Sequence, residues 1–568
     1  MTTTTTPKAA DHSPAGRVVA RAEAQADVFA QVPSRAAVYG LEPLPAGRVA
    51  SVRVHRNLAA ERMLTPAALL ARYGGLRIEA SFGPYDDSLS FAELAGPAPD
   101  VELVWLDYAR LDALNADELA TLLDRRLQAL RQRSTAPILV LDLPGTDPRA
   151  DAVNAALRQS AAAIPAVVVG PVSELAAEMG ADFLSTRAAA LTAVPLSPPA
   201  LMRLAQVFAL SWLPAALGIR IRGLAVDLDH TLYRGVLGED GPDGVVLTDD
   251  HKRLQEALKA LHQQGFFLGI VSRNEVADVK DLFARRTDFP LQAEDIDAWG
   301  VSWGRKSEAL HEIAAAVRVA PSSFLFIDDN AGELIEVAEE HPDVATVFAV
   351  DPGEVVRVLA LHPGLFAFHE SAADGLRTAD LAAESARGSL RSQGGDPNDY
   401  LAALGVEMTF HLDDRAGVRR LAELSNKTNQ FTTALRRLNE VDLAERIAAT
   451  DARVVSVRVR DKLADSGVIA MISARRQDDG RVLVEDVCVS CRALGRGIEG
   501  FLLDTALHRI GTEFDVTQLH LAVTEGPRNA PARTWLAGLD GRAEPGVVVV
   551  RTPVPQPGVP VTATWSAQ

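Results

Sequence analysis

Apolar runs of strand length alternate with stretches of helical spacing through the first two thirds of the chain. Val101–Leu106, Pro137–Leu143 and Ala166–Gly170 are short and almost wholly apolar, whereas Ala116–Arg133 spaces its apolar residues helically and keeps charges on one face. A second series opens at Gly223, with strands predicted at Leu224–Leu228, Phe266–Ser272, Phe324–Asp328 and Thr346–Val350. Strands this apolar, separated by helices, predict parallel sheets covered on both faces. The last third mixes helices with strands at Val454–Val459 and Val482–Val489, then a helical pattern over Ile498–Ile510, and ends in a Pro/Val-rich tail. No internal repeat is evident.

The pattern predicts a multidomain α/β chain. A loose leader over 1–45 precedes an α/β unit at 46–215 and a second at 220–362. An Ala-, Ser- and Gly-rich linker at 363–397 then leads to an α+β unit at 398–568. A length of 568 residues agrees, since one core does not grow that large. Leu204–Ile219 is apolar enough to raise the question of a membrane span. It is short, contains Pro214 and is flanked by Arg203 and Arg220, so a buried helix is expected.

Charge and cysteine content exclude several functions. A formal net charge of −18 argues against nucleic-acid or anionic-membrane partners, which need a broad basic face. Two cysteines cannot build a disulfide framework, and no apolar signal segment is visible, so a cytoplasmic location is expected.

The densest chemistry lies at predicted strand ends of the second unit. Asp227 and Asp229 stand two residues apart, a spacing that turns both carboxylates to one side of a strand. Two carboxylates beside a phosphate require a cation, and hard oxygen ligands suit Mg²⁺. One carboxylate could then attack phosphorus, while the other exchanges protons with the leaving oxygen and water. Ser272, followed by Arg273 and Asn274, ends the next strand and offers phosphate-binding groups. Lys306 opens a helix and can neutralise phosphoryl charge, and Asp328 and Asp329 end a third strand. Ligands collect at the carboxyl ends of such sheets.

These motifs resemble those of the haloacid dehalogenase superfamily. The resemblance implies Asp227 as nucleophile and Asp229 as acid/base. It puts Thr231, Ser272, Arg273 and Lys306 on the phosphate. Asp227, Asp229 and Asp328 would hold Mg²⁺, with Asp329 a further ligand or a residue just behind them. No large cap domain fits before Lys306, which suits a substrate presented by a large partner. The longer run Asp227–Gly241 is similar to the first motif of the FkbH-like proteins of polyketide biosynthesis, as are Glu423–Phe431 and Ser490–Gly497. That family usually reads Asn-Thr-Leu-Trp-Gly-Gly where this chain has His230-Thr-Leu-Tyr-Arg234-Gly. The 46–215 unit resembles an SGNH-hydrolase-like domain. It lacks a clear Gly-Asp-Ser block and an Asp-x-x-His pair, so a non-hydrolytic role is expected.

In the last unit, Arg492-x-x-Gly495-Arg496-Gly497 follows a predicted strand and precedes a helix, a context for binding an anion through backbone N–H groups. It resembles the pyrophosphate loop of GNAT acyltransferases, and Asn529 with Ala530–Leu536 resembles that fold's later cofactor-proximal segment. Cys488 and Cys491 precede the loop. Both could be small core residues, but Cys491, beside Arg492 and a helix start, is the better placed thiolate. Thr428–Thr432 either caps a helix starting near Thr432 or uses Asn429 and Gln430 on an acyl group or pantetheine. Arg436 and Arg437 are expected on that helix.

Together the resemblances imply a glyceryltransferase-phosphatase. It would convert a phosphorylated glycerate, D-1,3-bisphosphoglycerate, into a glyceryl thioester on the phosphopantetheine of an acyl carrier protein. A stand-alone phosphatase for another small phosphorylated acid is the alternative. A coenzyme A acyltransferase with a degenerate phosphatase unit, or a non-catalytic docking protein, fits the intact motif set less well.

Overall fold

The computed structural model describes residues 13–568 except 43, 46, 92–95, 370–379, 381–382, 384–386, 388–389, 392–396, 491, 556–557 and 567–568. The chain forms two compact units, 1–370 and 371–568.

The first unit holds two five-stranded, all-parallel sheets. The first comprises β1 (Arg48–Arg56), β2 (Leu76–Tyr85), β3 (Val101–Trp105), β4 (Ile138–Leu141) and β5 (Val167–Gly170), in the order β2-β1-β3-β4-β5. The second comprises β6 (Gly223–Val226), β7 (Phe267–Ser272), β8 (Ala298–Val301), β9 (Phe324–Asp328) and β10 (Ala345–Phe348), in the order β10-β9-β6-β7-β8. Each order reverses direction beside its first strand, making the crevice where parallel sheets gather ligands. The predicted strands are all present. β1 and β2 escape the apolar-run criterion because much of β2 is exposed, and β8 because a sheet edge tolerates polar neighbours.

The leader is not loose over its described residues. Ser13 caps a helix at Pro14–Val28, a second helix follows at Arg35–Gly40, and Val28 and Phe29 are fully buried. Gln25 crosses to the second sheet. Its amide nitrogen donates to the Phe348 carbonyl (2.8 Å) and Glu354 (2.7 Å), and its oxygen accepts from the Phe348 N–H (3.2 Å). Gln206, from the helix Pro198–Val207, donates to the carbonyls of Val28 and Ala30. One hydrophobic core therefore runs from the leader through both sheets. Leu204–Ile219 is mostly buried within this unit, broken by a π-helical turn at Phe208–Trp212, and no helix among the described residues is long and apolar enough to cross a membrane.

The second unit is built on a mixed eight-stranded sheet of β11 (Glu407–Leu412), β12 (Ala452–Arg460), β13 (Asp465–Arg476), β14 (Val482–Val489), β15 (Gln518–Ala522), β16 (Gly541–Glu544), β17 (Val547–Arg551) and β18 (Thr562–Trp565). Parts of the Pro/Val tail are thus strands, β17 antiparallel to β15 and β18 parallel to β11. The stretch expected as a linker lies partly outside the described residues, but Asp380 and Arg387 are helical and buried in this unit, where both bond the Arg496 and Asp461 cluster.

Candidate active site

Asp227 and Asp229 follow β6, a fully buried strand whose Asp227 N–H donates to Ile327 of the neighbouring β9. Between β6 and β7 the chain adds helices at Leu237–Gly244 and Asp249–Gln263 and no strand, so this connection contributes no large cap domain. Lys306, the first residue of the helix Lys306–Ala316, is buried. Its ammonium reaches Asp227 Oδ1 (2.9 Å) and Asp328 Oδ2 (2.6 Å). An ammonium at a helix N-terminus opposes the helix dipole and is held there by the two carboxylates. Burial works against its charge, yet Asp227 and Asp328 together push its pKa up. Burial also raises Asp227, with Lys306 pulling the other way. It pushes Asp328 to about 7, helped by the charge of Asp227. One ammonium among these carboxylates leaves a deficit of positive charge.

That deficit coincides with a set of hard oxygen donors. Oxygens of Asp227, Asp328 and Asp329 lie within 4.8 Å of one another. Carboxylates so placed fit Mg²⁺, whose preferred ligands are oxygens. The Asp229 carboxylate, also expected on the metal, is not part of this set of side-chain oxygens. Its oxygens accept from the Tyr233 hydroxyl (2.7 Å), the Leu237 N–H (2.9 Å) and the Asn274 amide (2.9 Å). Three donors fix its orientation for proton exchange. The Asn274 amide also donates to Ser272 Oγ (3.0 Å), leaving the serine proton available. Thr231 Oγ is buried without a hydrogen-bond partner, as expected of a group awaiting a ligand oxygen. Arg273, expected on the phosphate, instead pairs with Glu333 (2.9 Å) and donates to the Gly304 carbonyl.

Sequence reasoning did not assign Asn274 or Tyr233. The signal was present for Asn274, which directly follows the Ser272-Arg273 pair, and for Tyr233, which stands where the related motif has Trp. His230, another departure along with Arg234, is exposed with φ +58, and its N–H donates to the Gly235 carbonyl.

In the second unit several of the expected site residues are engaged in contacts within the fold. Cys491 lies outside the described residues. Cys488 is fully buried on β14, where burial and then Asp486 push its thiol pKa well up, so it is a core residue. The Arg496 guanidinium is buried and spent on Asp380 (2.9 Å) and Ser466 (2.8 Å). Gly495 and Gly497 have φ of +81 and +80, which favours glycine, but the Gly495 N–H already donates to the Glu499 carboxylate. Arg492 is buried. Asn529 is also buried and its amide is consumed by Thr432, Thr524 and Gly526, whereas Asn429 and Gln430 are exposed. No helix starts at Thr432. Residues 431–433 pair with the end of β14, Thr433 also bonds Thr524, and Asp486 collects donors from Thr432, Thr433, Ala434 and Arg436. The next helix begins only at Glu440, capped by Asn439, which leaves Arg436 and Arg437 in the loop.

In the first sheet, a cavity of about 520 Å³ opens at the strand ends, lined by Trp105, Asp107, Tyr108, Asp142 and Arg149 among others. Its lining contains neither serine nor histidine, although Ser173 donates to Asp142 of that lining (2.6 Å).

No protein-family model matches the chain, and no curated protein matches it. Among solved structures it is similar to the N-terminal part of BF1531 from Bacteroides fragilis, containing a phosphatase domain complexed with Mg. The identity is 19% and the TM-score 0.45, over 60% of this chain and 98% of that one. It is also similar to an uncharacterised protein from Corynebacterium glutamicum ATCC 13032 Kitasato, at 19% identity and a TM-score of 0.18, over 25% of this chain and 94% of that one. Both likenesses are too distant to assign chemistry, which rests on the residues themselves.

Proposed function

We propose that the chain is a Mg²⁺-dependent phosphatase whose nucleophile is Asp227. The observation that carries this is the buried Asp227–Lys306–Asp328 cluster at the carboxyl edge of a parallel sheet, with Asp329 completing an oxygen set and Asp229 held close by. Mg²⁺, held by Asp227, Asp328 and Asp329, supplies electrostatic stabilisation of charge on the phosphoryl oxygens. Asp227 Oδ attacks phosphorus and the P–O bond to the leaving group breaks, giving an aspartyl phosphate. Asp229 gives its proton to the departing oxygen, then takes one from the water that hydrolyses the aspartyl phosphate and restores Asp227. Lys306 and the Ser272 and Thr231 hydroxyls bind the phosphoryl oxygens.

The finer reading is a glyceryltransferase-phosphatase. An enzyme thiolate attacks the acyl carbon of D-1,3-bisphosphoglycerate and expels the acyl phosphate as inorganic phosphate, the remaining phosphate ester is cleaved at Asp227, and the glyceryl group passes to the phosphopantetheine thiol of an acyl carrier protein, which frees the enzyme thiol. The motif resemblance over Asp227–Gly241, Glu423–Phe431 and Ser490–Gly497 supports it, and Cys491 is the assigned thiol because burial disables Cys488. Intact-mass measurement of a holo carrier protein, incubated with the enzyme, Mg²⁺ and the bisphosphate, tests it. A glyceryl mass increment is expected. Phosphate release without that increment leaves a stand-alone phosphatase.

A further inference from the structure

The two loops that carry the proposed active-site residues are also joined by an exposed indole that is tied in place. Trp303 is 68% exposed, the most open of the large hydrophobic side chains around the second sheet. Its Nε1–H nevertheless donates to Glu275 Oε1 at 2.7 Å. A free surface tryptophan gains nothing from being pinned, and aromatic side chains with one polar anchor are the usual contact groups at binding surfaces.

The two residues of this bond come from the two loops that carry the chemistry. Glu275 directly follows Asn274, whose amide holds Asp229 and Ser272. Trp303 stands three residues before Lys306, whose ammonium holds Asp227 and Asp328. Val276, beside Glu275, is 49% exposed and extends the apolar surface. Arg273 donates to the Gly304 carbonyl on the same turn, so the loop bearing Trp303 is fixed from two directions. With no large cap domain in the β6–β7 connection, that connection does not enclose the part of a substrate that projects beyond its phosphate.

We infer that Trp303 is a specificity-determining residue, a fixed apolar platform that receives the non-phosphate body of the substrate. The substrates it favours are phosphate compounds with an extended or apolar body, at the expense of those that end within a few atoms of phosphorus. The inference rests on the phosphatase reading above. It adds to that reading a source of selectivity other than the carboxylates.

The test compares the full-length enzyme and its variants with Mg²⁺ on two probes, phenyl phosphate and acetyl phosphate. In Trp303→Ala, the KM for phenyl phosphate relative to that for acetyl phosphate is expected to rise about ten-fold. Trp303→Phe, which keeps a flat apolar ring, should recover most of the selectivity, and Glu275→Gln should give an intermediate loss. An unchanged KM ratio in all three variants overturns the inference while leaving the phosphatase intact. Turnover of neither probe, with phosphate still released from the bisphosphate in the carrier assay, overturns the inference alone; no phosphate release in either assay overturns the phosphatase reading, and the inference with it. Should Trp303→Ala misfold, Glu275→Gln decides on the same ratio.

Discussion

Asp227 and Asp229 are separated by one leucine and occupy different environments. Asp227 faces Lys306 and the other clustered carboxylates, whereas Asp229 is gripped by Tyr233, Leu237 and Asn274. The split matches a nucleophile on one side and a proton carrier on the other. Replacing Asp227 by Asn should abolish phosphate release, and Asp229→Asn should lower kcat by about 10²- to 10⁴-fold. Asn274→Ala leaves both carboxylates in place but loosens Asp229, so a smaller loss of about 10- to 100-fold is expected, mostly in kcat. Steady-state phosphate release on phenyl phosphate measures all three. An Asn274→Ala enzyme with wild-type kcat would show that orientation of Asp229 is not limiting.

At the scale of elements, the parallel strands were legible because burial on both faces leaves little room for polar residues, as in β6, β7 and β9. The catalytic motifs were legible because they are short and stand at those strand ends. The orientation of Asp229 was not, since it depends on Tyr233 and Asn274 reaching it across a turn. Arg496 and Asn529 were misplaced for a related reason. Their sequence context suits ligand binding, but residues 116 and 97 positions away, Asp380 and Thr432, claim their side chains. The leader was misread because its polar spacing hides a helix whose partners lie over 300 residues later. Gln25→Ala should accordingly destabilise the first unit by about 1 kcal/mol, the cost of leaving the partly buried Phe348 backbone groups without this partner. Urea denaturation followed by fluorescence would read this loss.

On the scale of the whole first unit, His362 marks where leader, first sheet and second sheet meet. It is fully buried, its ring lies 6.4 Å from Phe29 and 6.2 Å from Tyr73, and its Nδ1 is 3.0 Å from the Pro363 carbonyl. Burial, assisted by the charge of Arg21, lowers its pKa from 6.5 to about 3. The unfolded chain takes up a proton at this histidine near pH 6.5 and the folded chain does not until about 3. Stability therefore falls as pH drops between those values, and the contribution is constant above them. Between pH 7 and 5, wild-type stability should fall by about 2 kcal/mol more than that of a His362→Gln variant. Equal losses in the two proteins would exclude His362 as the source.

The helix at Pro14–Val28 also constrains how this architecture can be inherited. Because Gln25 closes on the second sheet while the first sheet lies between them in the chain, the module that bears the candidate site is not a contiguous stretch of sequence. A recombination that transplants 220–362 alone would carry the reactive carboxylates away from the segment that seals their sheet. Natural or engineered chimaeras of this chain should therefore keep the N-terminal helix and the second sheet from the same parent.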